Sequence, residues 1–177
     1  MYVKILDRQG NEIGCIEKKY LVPLSLRHQI VRVVLYAKNK GTVLMQQRSL
    51  TDDSCPGMWD TSSSGHVDGH EAIEHAAVRE LKEELGIEAE ERALAYVGSY
   101  GTSEGLTGGR LERETHLYCL SFGEEFNNFI VDPHEVGQTQ WRTPKAWLAS
   151  SKHDAGIRLT NGAAQALNLF VDWLRAK

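Results

Sequence analysis

Three glutamates, Glu80, Glu83 and Glu84, sit at spacings i, i+3 and i+4 within Ala72 to Leu85, a run with no Gly or Pro. The run favours helix, and Gly86 is well placed to stop it. At ~100° per residue the three carboxylates share one arc. Each close pair of like charges costs a helix a few tenths of a kcal/mol. Hard divalent cations such as Mg²⁺ are the natural compensation, since they take carboxylate oxygens, water and phosphates. Arg79 lies one turn before Glu83 and can orient it. Ala77, Val78, Leu81 and Leu85 supply the neighbouring apolar arc that anchors the helix. A bare cluster of this kind is most often a solvated face. The glycine-containing loop just before it, where backbone approaches a metal or phosphate closely, separates this run from that case.

Around the helix the chain alternates strands and turns. Residues 2–6 and 13–16 read as a hairpin about Gln9-Gly10-Asn11, and residues 30–36 and 42–47 as another about Asn39-Lys40-Gly41. Residues 49–59 have loop composition, and 59–64 an extended one. Residues 95–100 and 111–122 read as strands joined by a long Gly-rich loop, read as a connection in preference to a lid. A strand at 138–142, a short helix opening at Pro144 and a last helix over 162–175 complete the order. Many strands with few helices indicate α+β, with a mixed β-sheet between helices in an α/β/α sandwich. The 177 residues suit a single domain, with 1–26 as an N-terminal hairpin extension and 27–177 as the core.

The bulk chemistry narrows the partners. A net charge of −4 argues against a nucleic-acid polymer or a membrane surface, both of which call for a basic face. It leaves room for an anionic small molecule, because bound divalent ions reverse the local sign. Cys15, Cys55 and Cys119 are scattered and odd in number, which reads as reduced thiols in a cytoplasmic protein. No leader peptide or apolar run long enough to span a bilayer is visible.

The full spacing says more than the cluster. Gly65, five residues, Glu71, seven residues, Arg79-Glu80-Leu81, one residue, Glu83-Glu84, one residue and Gly86-Ile87 resembles the Nudix box at every fixed position. The resemblance extends from about Arg27 to the C-terminus. It implies the α/β/α sandwich and hydrolysis of a nucleoside diphosphate derivative or related organic diphosphate, with Mg²⁺ or Mn²⁺ as cofactor. It also implies metal ligation by Glu83 and Glu84, with Glu80 as third ligand or base. Glu71 and Arg79 would support them, and the Gly65 carbonyl would touch a metal. Glu135, ahead of Trp141, resembles the downstream acid of the family, and Glu114 is a second candidate that could instead meet substrate. A homodimer is among the assemblies the resemblance suggests.

The segment Pro56 to Val67, with Leu26-Arg27-His28 and Gln47-Arg48-Ser49, looks like the branch related to isopentenyl diphosphate isomerase. That enzyme has a cysteine directly before the Gly-His pair, where this chain has Ser64. Its metal-binding histidines and glutamates can be matched to His28, His66, Glu112 and Glu114, with Leu21 where another histidine belongs. The isomerase has also lost much of the acidic box, which is intact here, so hydrolysis is the expectation. An isomerase and a non-catalytic nucleotide-binding domain are the alternatives. Of the remaining candidates, Arg48 is weighed evenly between binding phosphate and being an ordinary surface residue. Trp59 reads as core before base platform. His70 and His75 are five apart and read as solvated, because a shared zinc ion needs i, i+4.

Overall fold

A computed structural model describes residues 1–177 except 53, 154 and 155, so position 53 of the 49–59 loop lies outside the described residues. The strands are β1 (Tyr2–Leu6), β2 (Glu12–Glu17), β3 (Arg27–Ala37), β4 (Thr42–Arg48), β5 (Trp59–Asp60), β6 (Ser63–His66), β7 (Leu94–Leu106), β8 (Gly109–Phe122) and β9 (Val136–Arg142). The helices are α1 (Ile73–Leu85), α2 (Pro144–His153) and α3 (Asn161–Arg175). No helix among the described residues is long and apolar enough to cross a membrane.

β3 organises the sheet. Its β-branched run pairs parallel with β8 from Arg27–Glu112 to Ala37–Phe122 and antiparallel with β1, β4 and β6. Alternation then sorts its side chains onto two faces. Val31, Val33 and Leu35 pack with Ala76, Ala77, Leu81 and Leu85 of α1. Val34, Leu117 and Cys119 pack on the other face with Trp147 of α2 and Leu167 and Phe170 of α3. The result is the expected sandwich with a mixed sheet between helices.

The sheet splits where the site is built. β3 and β4 pair only at Tyr36–Val43 and Ala37–Thr42. Beyond that, β6 takes the edge of β3 and β5 the edge of β4. Buried Ser62 fills the gap, accepting from the Leu35 amide at 2.8 Å and donating to the Leu44 carbonyl at 2.7 Å. Gly41, at φ 67°, takes the left-handed turn that the β3–β4 hairpin demands.

The long loop expected between residues 100 and 110 does not exist. β7 and β8 continue in register to Leu106–Gly109 about a tight turn, with Gly108 at φ 89°. The glycines there are strand residues, and cross-strand polar pairs such as Ser103 Oγ to Glu112 at 2.6 Å hold the extension. The N-terminal hairpin joins β3 through Ile5–His28 and reaches the box loop, where the Gly69 amide donates to the Tyr2 carbonyl and Cys15 Sγ to the Gly69 carbonyl.

Candidate active site

α1 places its carboxylates unevenly. Glu80 and Glu84 fall between Ala76 and Leu81 on the helical wheel, inside the arc that faces the sheet. Both are buried, whereas the Glu83 side chain is 57 % exposed. Ala76 is fully buried, and Val78, expected in the anchoring arc, is only half-buried. The helix begins after the 67–72 turn, which Glu71 fastens by accepting from the Asp68 amide at 2.8 Å.

Arg79 is the hub. Its guanidinium donates to Glu71 at 2.6 and 3.1 Å, to Glu80 at 2.7 Å, to Glu83 at 2.9 Å and to the His66 carbonyl at 2.9 Å. One cation thus serves three carboxylates and ties helix to loop. Pairing with Arg79 holds the Glu71 carboxyl below its usual range despite partial burial. Burial dominates at Glu80 and pushes its carboxyl up to about 7, against the pull of Arg79 and with further push from Glu83 and Glu135.

Among the described residues, Glu84 has no cation at bonding distance. It accepts from the Ser64 amide at 3.3 Å and from Gln46 Nε2, both neutral donors. Burial, then Glu80 and Glu135, drive its carboxyl well above the usual range. Gln46 Oε1, beside it, is buried with no hydrogen-bond partner among the described residues.

Gly65 faces α1 from β6. A Cβ there would overlap the Glu80 carboxylate. Gly65→Ala is therefore expected to displace that carboxylate and lower kcat by about 10–100-fold, at a stability cost of about 1 kcal/mol, because the obstacle is the end of a flexible side chain. Steady-state kinetics paired with urea denaturation measures both.

The other expected residues lie around this group. Glu135 follows the Asp132–Pro133–His134 turn at the start of β9, is raised by burial and neighbouring acids, and acts electrostatically on Glu80 and Glu84. Arg48 is committed to Asp52 at 2.7 Å and to the Ser54 carbonyl at 2.6 Å, with Asp60 at 3.7 Å, and it feels the charge of Glu84. Glu114 is ion-paired to Arg27. His28 and His66 stack at 5.2 Å on the opposite sheet face from Glu112 and Glu114, so the isomerase-like set is divided by the sheet. Trp59 is buried against Trp147, and His70 and His75 are exposed.

The donor set fits a hard divalent ion in kind and charge. Among the described residues, Glu80, Glu83, Glu84 and Glu135 outnumber the one guanidinium bonded to any of them, that of Arg79, and Glu84 and Gln46 Oε1 present oxygen with no cation at bonding distance. Among the described residues no three acidic, histidine or cysteine side chains converge tightly enough to enclose an ion as they stand. Arg79 accounts for that at Glu80 and Glu83, which it holds to itself.

Sequence reasoning missed buried Arg32, bonded to Asp60 and, at 3.2 Å, to Thr61. A charged residue inside an otherwise apolar strand was the available signal.

The NUDIX domain matches over residues 26–159. The chain belongs to this family. An uncharacterised Nudix hydrolase of Clostridium acetobutylicum is 33% identical over 138 residues, covering 76% of this chain and 66% of that protein. An isopentenyl-diphosphate Delta-isomerase of Cutibacterium acnes is 30% identical over 149 residues, covering 79% and 72%. Among solved structures, a Deinococcus radiodurans protein superposes with a TM-score of 0.70 at 22% identity over 95% of this chain and 98% of its own. The Escherichia coli dihydroneopterin triphosphate pyrophosphohydrolase gives 0.63 at 23% identity over 81% and 94%. Both likenesses are of fold. With the family and the complete box, this Nudix chain is a pyrophosphohydrolase by class.

Proposed function

We propose that this Nudix chain hydrolyses the diphosphate bond of a small organic diphosphate with Mg²⁺ or Mn²⁺, through Glu80, Glu83, Glu84 and Glu135. The observation that carries the reading is the burial of Glu80 and Glu84 without enough cationic partners. Two acids held this way are poised to take up a metal ion or a proton. When bound, the metal supplies charge neutralisation of the diphosphate and a water of lowered pKa.

The chain's own residues do the rest. Arg79 fixes Glu71, Glu80 and Glu83 relative to one another and to the box loop. Gly65 leaves room for Glu80 beside the backbone. Glu80, with a carboxyl near pH 7, is suited to accept a proton from attacking water at neutral pH, and Glu135 is the alternative acceptor. Burial beneath β6 excludes competing solvent from Glu84.

The test is release of phosphate, pyrophosphate or nucleotide from nucleoside diphosphates, nucleotide sugars, dinucleotides and prenyl diphosphates. Turnover is expected with Mg²⁺ or Mn²⁺, to vanish with a chelator, and to return on adding metal. A panel giving tight binding without turnover would replace catalysis by recognition. The isomerase reading draws support from the relatives of that name. It requires isopentenyl diphosphate to yield dimethylallyl diphosphate with no phosphate released. Ser64 and the separation of Glu114 from His28 and His66 weigh against it.

A further inference from the structure

In β4 the apolar run Val43-Leu44-Met45 gives way to Gln46, which is 2 % exposed. Alternation puts Gln46 on the face of Leu44, which packs with Leu81 and Leu85 of α1. Its backbone is held on both edges, opposite Asp60 on β5 and Thr139 on β9. A strand paired on both sides has little freedom, so the side chain starts from a fixed point. Folding alone would favour an apolar residue in such a place, because burying an amide costs free energy unless it is fully bonded.

The amide is only half satisfied. Its Nε2 donates to Glu84 Oε2, whereas Oε1 is buried with no partner among the described residues. An unpaired buried acceptor costs stability, so a methionine of about the same volume would serve the fold as well. What methionine lacks is the donor. Glu84 is held by two neutral donors from opposite sides of the split in the sheet. The Ser64 amide of β6 reaches Oε1 at 3.3 Å, and Gln46 of β4 reaches Oε2. Glu80 and Glu83 are held differently, by the Arg79 guanidinium. A cation fixes a carboxylate and neutralises it; neutral donors fix it and leave its charge for an ion.

Of the two donors, Ser64 uses its backbone, which any residue but proline supplies. Gln46 is the side chain on which the orientation of Glu84 depends. Resting on the hydrolase reading above, we infer that Gln46 is a positioning residue of the metal site: its amide holds the Glu84 carboxylate in the orientation that receives the divalent ion. Gln46 touches neither metal nor substrate and acts only through Glu84. The unpaired Oε1 is the consequence of aiming Nε2 at Glu84, and the need for that donor explains a polar side chain where the core would take an apolar one.

Titration of the substrate-free protein with Mn²⁺, followed by electron paramagnetic resonance, tests this without turnover. Gln46→Met is expected to weaken Mn²⁺ binding by about 10–100-fold, while the metal-free Tm stays within about 4 °C of wild type. Gln46→Leu, the second variant, is expected to behave alike, which sets aside a packing fault peculiar to methionine. In a Glu84→Gln background, Gln46→Met is expected to change Mn²⁺ binding no further, because the residue through which it acts is gone. Unchanged affinity in Gln46→Met, a further loss in the double variant, or a metal-free Tm lowered beyond that range in both single variants overturns the assignment. So does a wild type that takes up no Mn²⁺ at millimolar concentration. The release assay above, run on the same samples, separates the two readings. If Gln46→Met weakens Mn²⁺ binding in a chain that cleaves no diphosphate, the Gln46 assignment stands and the hydrolase reading fails. Turnover in wild type with Mn²⁺ affinity unchanged in Gln46→Met gives the reverse.

Discussion

Glu84→Gln is expected to lower kcat by about 10³-fold while Tm stays within a few degrees of wild type. The two halves of this result come from one feature. Glu84 is 3 % exposed and its carboxylate is bonded, among the described residues, to the Ser64 amide and Gln46. In the metal-free protein its carboxyl is driven toward the protonated form, and a neutral glutamine has nearly the same shape. Folding therefore loses little, whereas the anionic oxygen that a divalent ion needs is gone. Glu83→Gln should also cost kcat, but for a different reason. Its carboxylate is exposed and, among the described residues, tied to Arg79, so its loss removes one of the ties of Arg79 and leaves the buried pair in place. Steady-state kinetics over a range of Mg²⁺ concentrations, with thermal melts of the same samples, checks both. Near-normal turnover in Glu84→Gln, at saturating metal, removes Glu84 from the ligand set.

The helix and its stop were legible because a 3.6-residue period and a left-handed glycine are local properties. The strands were legible for the same reason, since β-branched runs and turn residues sit side by side in sequence. The 101–106 segment was not legible. Its glycines imitate a loop, and only the partner strand β8 keeps it extended. The carboxylates were found as one face, but their unequal burial depends on how the helix leans on β6, and Gly65 decides that from outside the helix. Arg32 and Asp60 are far apart in sequence and meet only because the sheet splits at Ser62.

Without metal, the double variant Glu80→Gln with Glu84→Gln is expected to be more stable than wild type at pH 8 by about 3 kcal/mol. Folding raises the Glu80 carboxyl to about 7 from its ordinary 4.5, and raises Glu84 further still. Between those values the folded chain holds protons that the unfolded chain has released. Stability from these two groups is thus complete below pH 4.5 and is lost as pH climbs through 7. His28 and His66 act in the opposite sense: burial lowers them to about 4 and about 3, so they cost stability as pH falls below 6.5. In wild type alone the two trends oppose each other between pH 4.5 and 6.5. They separate on subtracting the variant, which keeps both histidines, so the difference in urea unfolding free energy should grow steadily from pH 5 to pH 8. Magnesium should reverse the order, because an ion that binds only the folded wild type adds RT ln(1 + [Mg²⁺]/Kd) and the variant has lost its ligands. A metal-free wild type that outlasts the variant at pH 8 means the two carboxylates are already satisfied by the protein, with no excess charge left for an ion to neutralise.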